Sequence, residues 1–569
     1  MHLAQLTDLT VLSCDQRLLH LGHLDEEVQI GQIEVGSEGL QDIAAFVLLQ
    51  YEGPRLVFPG DAVIVEELSR LKLRTGREAG FFGASVIREG GCFIAHAGTP
   101  FYQLACCGNV PVFPSLEATL THTLVYPITS GHNQAGHLEL DGCDVVDLVR
   151  EFGTPLIIYE EKTIRDQCRR YMEAMREHTA DFEVIYASKA FSALAMAQLV
   201  LEEGLSIDVS SAGEYYVAKT AGFPSEHIFF HGNNKTREEL EYALDGGVGF
   251  VVVDGFQELA LVEELAADRG ECQKVLLRIT PGVEAHTHSY VETGLVDSKF
   301  GFGLADGVAL EAIREALMAP HLDLVGLHAH IGSQIFRLDA FRKAIAILVE
   351  LIGQAHASFG FDCRYLNIGG GLGIRYTEED LPSSIGEYAA VKVEGVREEM
   401  SAMGLPMPRV LIEPGRSIVG KAGITAYRVG NIKEIPGIRT YVCVDGGMSD
   451  NIRPMLYGAQ YSGMLANKAE APADTVVTVA GKHCESSDVL IKDARIARPE
   501  PGDILVVPAT GAYCYAMASN YNGTPRPAVV LVNDGRARVI IERETLADLV
   551  AKHRPLRDQP DRLMEPIGR

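Results

Sequence analysis

The sequence predicts an α/β chain: a (β/α)8, TIM-like barrel, a C-terminal all-β, barrel-like domain, and an N-terminal extension of unassigned fold before them. Three observations carry that reading. Between residues 150 and 415, apolar runs rich in β-branched residues alternate with helical-period segments about eight times, the count and size of such a barrel. Beyond 415 the helical segments thin out, and short β-rich runs follow one another between turn residues. Nearly every barrel strand also ends in polar residues able to do chemistry, and a barrel gathers its working groups at those ends.

Residues 1–120 carry a single lysine, Lys72, and irregular apolar patches without period or motif, so they stand as an extension of unknown role. Residues 125–149 are assigned with 416–550 to the β domain. Barrel strands are expected at 183–187, 206–209, 228–230, 249–253, 274–279, 324–330, 365–368 and 409–412. Helices are expected at 192–203, 236–244, 256–267, 340–357 and 385–403, where apolar residues recur three and four apart. In the β domain, strands are expected at 440–444, 475–479, 503–507, 528–532 and 538–541, and residues 551–569 read as a loose, proline-containing tail.

A chain of 569 residues exceeds what one core holds, which agrees with several domains. Its formal net charge of -27 argues against a nucleic-acid or anionic-membrane partner, since both want a basic face. No apolar run approaches the roughly 20 residues that span a bilayer. The first residues lack the basic start and apolar core of a secretory leader. The 11 cysteines include one adjacent pair, Cys106-Cys107, and no CxxC pattern, so they read as reduced thiols in a cytoplasm.

The strand ends hold the chemistry. The first runs into Tyr186-Ala187-Ser188-Lys189-Ala190. Burial in a barrel mouth lowers a lysine's pKa and frees its amine to attack carbonyls, although by residue type alone a solvated lysine is the commoner outcome. Gly369-Gly370-Gly371-Leu372-Gly373 lets backbone N–H groups approach an anion, with the Ser333 hydroxyl to help, or makes a tight turn. Neither a dinucleotide fingerprint nor a P-loop is present. His328 and His330 lie two apart on a strand and share a face. Stacking or core packing is expected of them and no metal, because no carboxylate or cysteine stands at ligand spacing beside them. His286 and His288 repeat the spacing in a loop with no better claim. Glu413, close to Arg416, offers a carboxylate for a protonated ring nitrogen and a guanidinium fork for a carboxylate or phosphate, or simply a surface ion pair. Arg453, Tyr457, Cys484, Glu485 and Tyr513 fall in loops of the β domain, where each alone reads as ordinary surface.

Taken in order over about residues 125–550, these segments resemble the diaminopimelate decarboxylases, within the barrel-type (fold-type III) pyridoxal-phosphate-dependent decarboxylases that include ornithine and arginine decarboxylases. The resemblance also rests on Gly136-His137-Leu138, Phe152-Gly153-Thr154-Pro155-Leu156, Asp445-Gly446-Gly447-Met448, Arg453-Pro454-Met455-Leu456-Tyr457, Cys484-Glu485-Ser486-Ser487-Asp488 and Gly511-Ala512-Tyr513. It implies pyridoxal 5'-phosphate bound covalently to Lys189, with His330 stacked on its ring. Ser333, Gly371, Glu413, Arg416 and Tyr513 would complete that site, Glu413 keeping the ring nitrogen protonated. It implies a head-to-tail homodimer with shared active sites, in which Cys484 of the partner subunit handles a proton as the catalytic acid. Arg416, Arg453, Tyr457, Glu485 and Tyr513 would bind the amino-acid substrate. The implied reaction converts meso-2,6-diaminopimelate to L-lysine and CO2. The alternatives are another basic amino acid (ornithine, arginine or carboxynorspermidine) and a non-catalytic homologue acting as a binding partner. Three places depart from the family pattern: Ser188 before the lysine, Ala212 where glycine is usual, and Lys482-His483 before Cys484.

Overall fold

Eight short apolar runs pair side by side, each parallel to the next, and the last closes on the first. They are Phe182–Ala187, Ser206–Val209, Ile228–Phe230, Phe250–Val253, Gln273–Thr280, Leu322–His328, Tyr365–Asn367 and Arg409–Ile412. This computed structural model describes residues 124–283 and 297–556, with the backbone of four further strands nearer the N-terminus. Those four form two antiparallel pairs, Thr10–Leu12 with Leu18–His20 and Ala84–Glu89 with Cys92–Ala97, in a unit of their own spanning 1–114. The rest of the extension, His286 and His288, and the tail beyond 556 lie outside the described residues.

The strands form because both of their faces are covered. Ile185, Phe229, Phe250, Val252, Leu276, Val325 and Leu411 fill the barrel interior, with the Phe229 and Phe250 rings stacked at 4.3 Å. Their alternate neighbours, such as Val184, Tyr186, Phe230, Val251 and Leu277, face the surrounding helices in the largest core of the chain. The expected helices appear as Leu194–Glu202, Arg237–Asp245, Phe256–Arg269, Asp339–Phe359 and Ile385–Ala402. Those starting at Arg237 and Ile385 each open on a capping box, Thr236 with Glu239 and Ser384 with Glu387. Helices not expected include Glu161–His178, Ala212–Thr220 and Val308–Met318. The first packs beside Ile385–Ala402, where His178 Nδ1 lies 3.2 Å from Glu394. It thus fills the place a helix after the eighth strand would take, since only the short Arg416–Val419 follows that strand.

The β-rich part is built on Gly423–Ile435, a strand of 13 residues. Its first half pairs with Leu156–Glu160 and Ile504–Val507, its second with Arg439–Val444. Thr475–Ala480 and Val489–Ile496 extend one edge, and Ala528–Asn533 and Arg536–Ile541 the other. The strand Leu156–Glu160 therefore sits in this sheet, and the chain enters the barrel after Glu160, some ten residues later than the sequence reading put it. No helix among the described residues is long and apolar enough to cross a membrane.

Candidate active site

The loops after the first, sixth, seventh and eighth barrel strands line one cavity, with Tyr513 contributing to its wall from the β-rich side. Lys189, His330, Ser333, Gly371, Glu413, Arg416 and Tyr513 line it together with Ala187, Leu372, Gly415 and Ser417. Backbone geometry forces several of these choices. Gly371 has φ +110°, and a Cβ there would stand 2.6 Å from the Gly332 carbonyl oxygen; a Cβ on Gly370 would meet the Glu413 carbonyl oxygen at 2.0 Å. Glycines thus let the seventh strand's turn press against its two neighbours. Lys392, fully buried, ties the same turn from behind, its Nζ donating to the carbonyls of Ile368 and Gly369 at 2.7 Å each.

Lys189 projects from the turn Ser188–Ala190 into the mouth, where solvent reaches it. The expectation of a lowered pKa is corrected here. Crowding by protein pushes the ammonium's pKa down, but Asp208, Tyr513 and Glu413 together push it further up, and the net direction is upward. Asp208, a residue the sequence reading did not single out, is itself pushed up to about 7, by burial first, with Lys189 and His231 opposing. It accepts the Ser188 backbone N–H at 3.0 Å, which anchors the lysine turn.

Arg416 holds Ser333 Oγ with Nε at 3.2 Å and Nη2 at 2.9 Å, and bonds the Tyr376 hydroxyl through Nη1. Its guanidinium lies 4.8 Å from the Tyr513 ring centroid. Together with the Gly371 turn this makes a fixed, positively charged corner suited to an anion. At the opposite end Glu413 is buried, and three groups converge on it. Asn367 Nδ2 donates to Oε1 at 2.7 Å, His328 Nε2 lies 3.1 Å from Oε2, and His231 Nε2 lies 2.8 Å from Oε1. The expectation that no carboxylate stands beside His328 is therefore corrected: Glu413 arrives from the eighth strand, 85 residues later. Burial would raise the Glu413 carboxyl, but the two histidines hold it well below the ordinary range. His328 is driven down to about 4 by burial, and His330 well below its ordinary value by burial, Lys189 and Arg278. Both are neutral imidazoles at pH 7. His231, His328 and Glu413 also bring one ligand-type atom each within 4.8 Å of one another. The Asn367 amide N–H aimed at the same carboxylate makes this a hydrogen-bonded set.

Four predicted site residues lie apart from the cavity lining. Arg453 is buried, its Nη1 on the Tyr461 hydroxyl and its guanidinium 4.6 Å from the ring of Tyr376, the tyrosine that Arg416 also contacts. Its Nε has no partner among the described residues. Tyr457 ends the short helix Arg453–Tyr457, half-buried. Cys484 is exposed on a turn of the β-rich part, its backbone N–H on Asn522 Oδ1 at 2.9 Å, and Glu485 beside it caps the Ser487 N–H at 3.3 Å.

Comparison with known proteins agrees with this geometry. Residues 161–420 match the pyridoxal-binding domain of pyridoxal-dependent decarboxylases. The diaminopimelate decarboxylase of Bacillus subtilis is 50% identical over 429 residues, which is 75% of this chain and 98% of that protein. This chain belongs to the diaminopimelate decarboxylase family. A diaminopimelate decarboxylase from Synechocystis is 47% identical over 452 residues, 78% of this chain and 94% of its own. Among solved structures, the diaminopimelate decarboxylase of M. jannaschii in complex with L-lysine superposes with a TM-score of 0.71 at 36% identity, covering 75% of this chain and 98% of that one. The cavity fits the cofactor that a pyridoxal-binding domain implies. It holds an amine for a carbonyl carbon, a buried carboxylate for a ring nitrogen, and a hydroxyl, a guanidinium and a glycine turn for a phosphate.

Proposed function

We propose that this protein decarboxylates meso-2,6-diaminopimelate to L-lysine and CO2. The observation that carries the reading is the convergence of Lys189, Glu413 and the Ser333–Arg416 corner on one cavity of a chain half identical to a diaminopimelate decarboxylase. Bound there, pyridoxal 5'-phosphate supplies an electron sink for the pair left when the carboxylate departs. Lys189 would hold the cofactor, and His330, neutral and lining the cavity, would pack against it. Ser333, Arg416 and the Gly371 turn would hold its phosphate, and Glu413 would keep its ring nitrogen protonated. Tyr513 contributes to the cavity wall.

Substrate choice falls to the arginines. Diaminopimelate carries a second carboxylate, and the unpartnered Nε of buried Arg453 is a donor held ready for one. Arg416, Tyr457 and Tyr513 add donors, and Glu485 suits the distal ammonium. Cys484 is exposed, Glu485 is half-buried, and both lie outside the cavity lining of their own chain, which supports a homodimer in which Cys484 of the partner subunit delivers the proton. We assign residues 161–415 to the barrel and 125–160 with 416–550 to the β domain. We place the enzyme in the cytoplasm, where the free thiols of Cys168, Cys363, Cys484 and Cys514 stay reduced.

Lys189→Ala tests the reading. The variant should fold, lose the absorbance of covalently held cofactor and lose turnover; turnover at the unaltered rate would exclude the mechanism.

A further inference from the structure

Glu413 is surrounded in an unusual way for a buried carboxylate. Among the described residues, its only ion-pair-distance neighbours are two histidines, and the third donor, Asn367, is a neutral amide. A carboxylate offers about four lone-pair positions. Asn367 and His231 approach Oε1 and His328 approaches Oε2, which leaves one position, on Oε2, for the cavity that Glu413 lines. An arginine or lysine in the place of the imidazoles would satisfy the same lone pairs but cancel the negative charge. A neutral imidazole, as burial keeps His328, satisfies a lone pair and leaves the charge in place.

The histidines are built for that role. They come from the ends of the third and sixth strands and meet edge to face, ring centroids 4.8 Å apart at 69°. His328 is 1% exposed and His231 7%. His328 Nδ1 has no partner among the described residues, so Nε2 is free to carry the proton toward Glu413. His231 Nε2, at 2.8 Å, is turned out of line for a full hydrogen bond and acts on the carboxylate mainly through proximity.

We propose that His231 and His328 are positioning residues that keep Glu413 a carboxylate, so that a proton shared with the cofactor's ring nitrogen resides on the nitrogen. The inference rests on the proposed cofactor role of Glu413 and adds what determines the proton's place. Donors to a carboxylate favour its charged form. Without them the buried Glu413 becomes the better base, takes the proton, and leaves the ring a poorer electron sink.

The test loads cofactor-free protein with pyridoxal 5'-phosphate labelled with 15N in the ring and reads the nitrogen's chemical shift at neutral pH. In the unaltered protein the shift should be that of a protonated ring nitrogen. In His231→Phe and His328→Phe it should move toward the unprotonated value. The kcat should fall roughly 10- to 100-fold, the scale seen when an outer-shell partner of a reactive group is lost, with little change in KM. His328→Gln, which keeps an N–H donor, should restore both readouts. A ring nitrogen as protonated in the Phe variants as in the unaltered protein overturns the proposal. Should the Phe variants not fold, 15N-histidine spectra of the unaltered protein decide, because a protonated imidazolium at position 328 also overturns it. A protein that binds the labelled cofactor with an unprotonated nitrogen defeats this inference alone, whereas one that binds none defeats the functional reading beneath it.

Discussion

Replacing His328 by glutamine should flatten the loss of stability on mild acidification. In the fold, burial takes the His328 pKa from 6.5 down to about 4. A base whose folded pKa lies below its unfolded value binds its proton more readily when unfolded. Stability therefore falls as pH drops through the window between the two values and is constant outside it. At about 1.36 kcal/mol per pH unit, the window from 6.5 to about 4 corresponds to roughly 3 kcal/mol. Glu413, held low, contributes with the same dependence but only below the ordinary carboxylate range, so the two effects separate on the pH axis. Glutamine does not titrate and retains an N–H for Glu413. The assay is urea unfolding of cofactor-free protein at half-unit steps from pH 7.5 to 4, comparing midpoints of the unaltered chain and His328→Gln at equal concentration. The difference between the two curves should grow by about 3 kcal/mol across the window. Parallel curves would show that His328 is not held neutral by burial, and would refute the electrostatic reading of the Glu413 cluster.

Two further outcomes follow from the geometry. Gly371→Ala forces a side chain to φ +110° and its Cβ to 2.6 Å from the Gly332 oxygen. It should weaken cofactor affinity by at least roughly 10-fold in a direct titration, since strain of 1–3 kcal/mol falls on the phosphate-binding turn. Mixing Lys189→Ala with Cys484→Ala protein, each inactive alone, should restore part of the activity if subunits exchange and sites are shared. No recovery, with mixed dimers demonstrated by mass, would place Cys484 and Lys189 in the same subunit's site or exclude the thiol from it.

The barrel was readable because its strands are buried on both faces: runs such as Phe250–Val253 are apolar throughout and stop where polar residues begin. The helix Glu161–His178 escaped notice although Ile164, Cys168, Tyr171 and Met175 mark a buried stripe, because dense charges surround that stripe and no recognised strand precedes it. The strand Gly423–Ile435 changes character midway, from fully buried to mostly exposed, so neither alternation nor a continuous apolar run describes it. In Val489–Ile496 the pattern breaks at Asp493, whose φ is +53°. At the site, residues at strand ends were legible one strand at a time. What joins them was not: His231 and Asn367 meet Glu413 only after the barrel closes, and Asp208 reaches the lysine turn only through the pairing of the first two strands. Cys484 and Glu485, outside the cavity lining, carry no local signal at all, and only family resemblance points to them.

The central claim is the reaction, and analysis of its products tests it most directly. Purified protein with pyridoxal 5'-phosphate is incubated separately with meso-diaminopimelate, ornithine and arginine, and the amino acids and amines formed are measured together with CO2. Lysine and CO2 in equal amounts from diaminopimelate alone is the predicted result. Putrescine or agmatine from the other two, without lysine from the first, would contradict it and turn the roles of Arg453 and Glu485 to a different substrate.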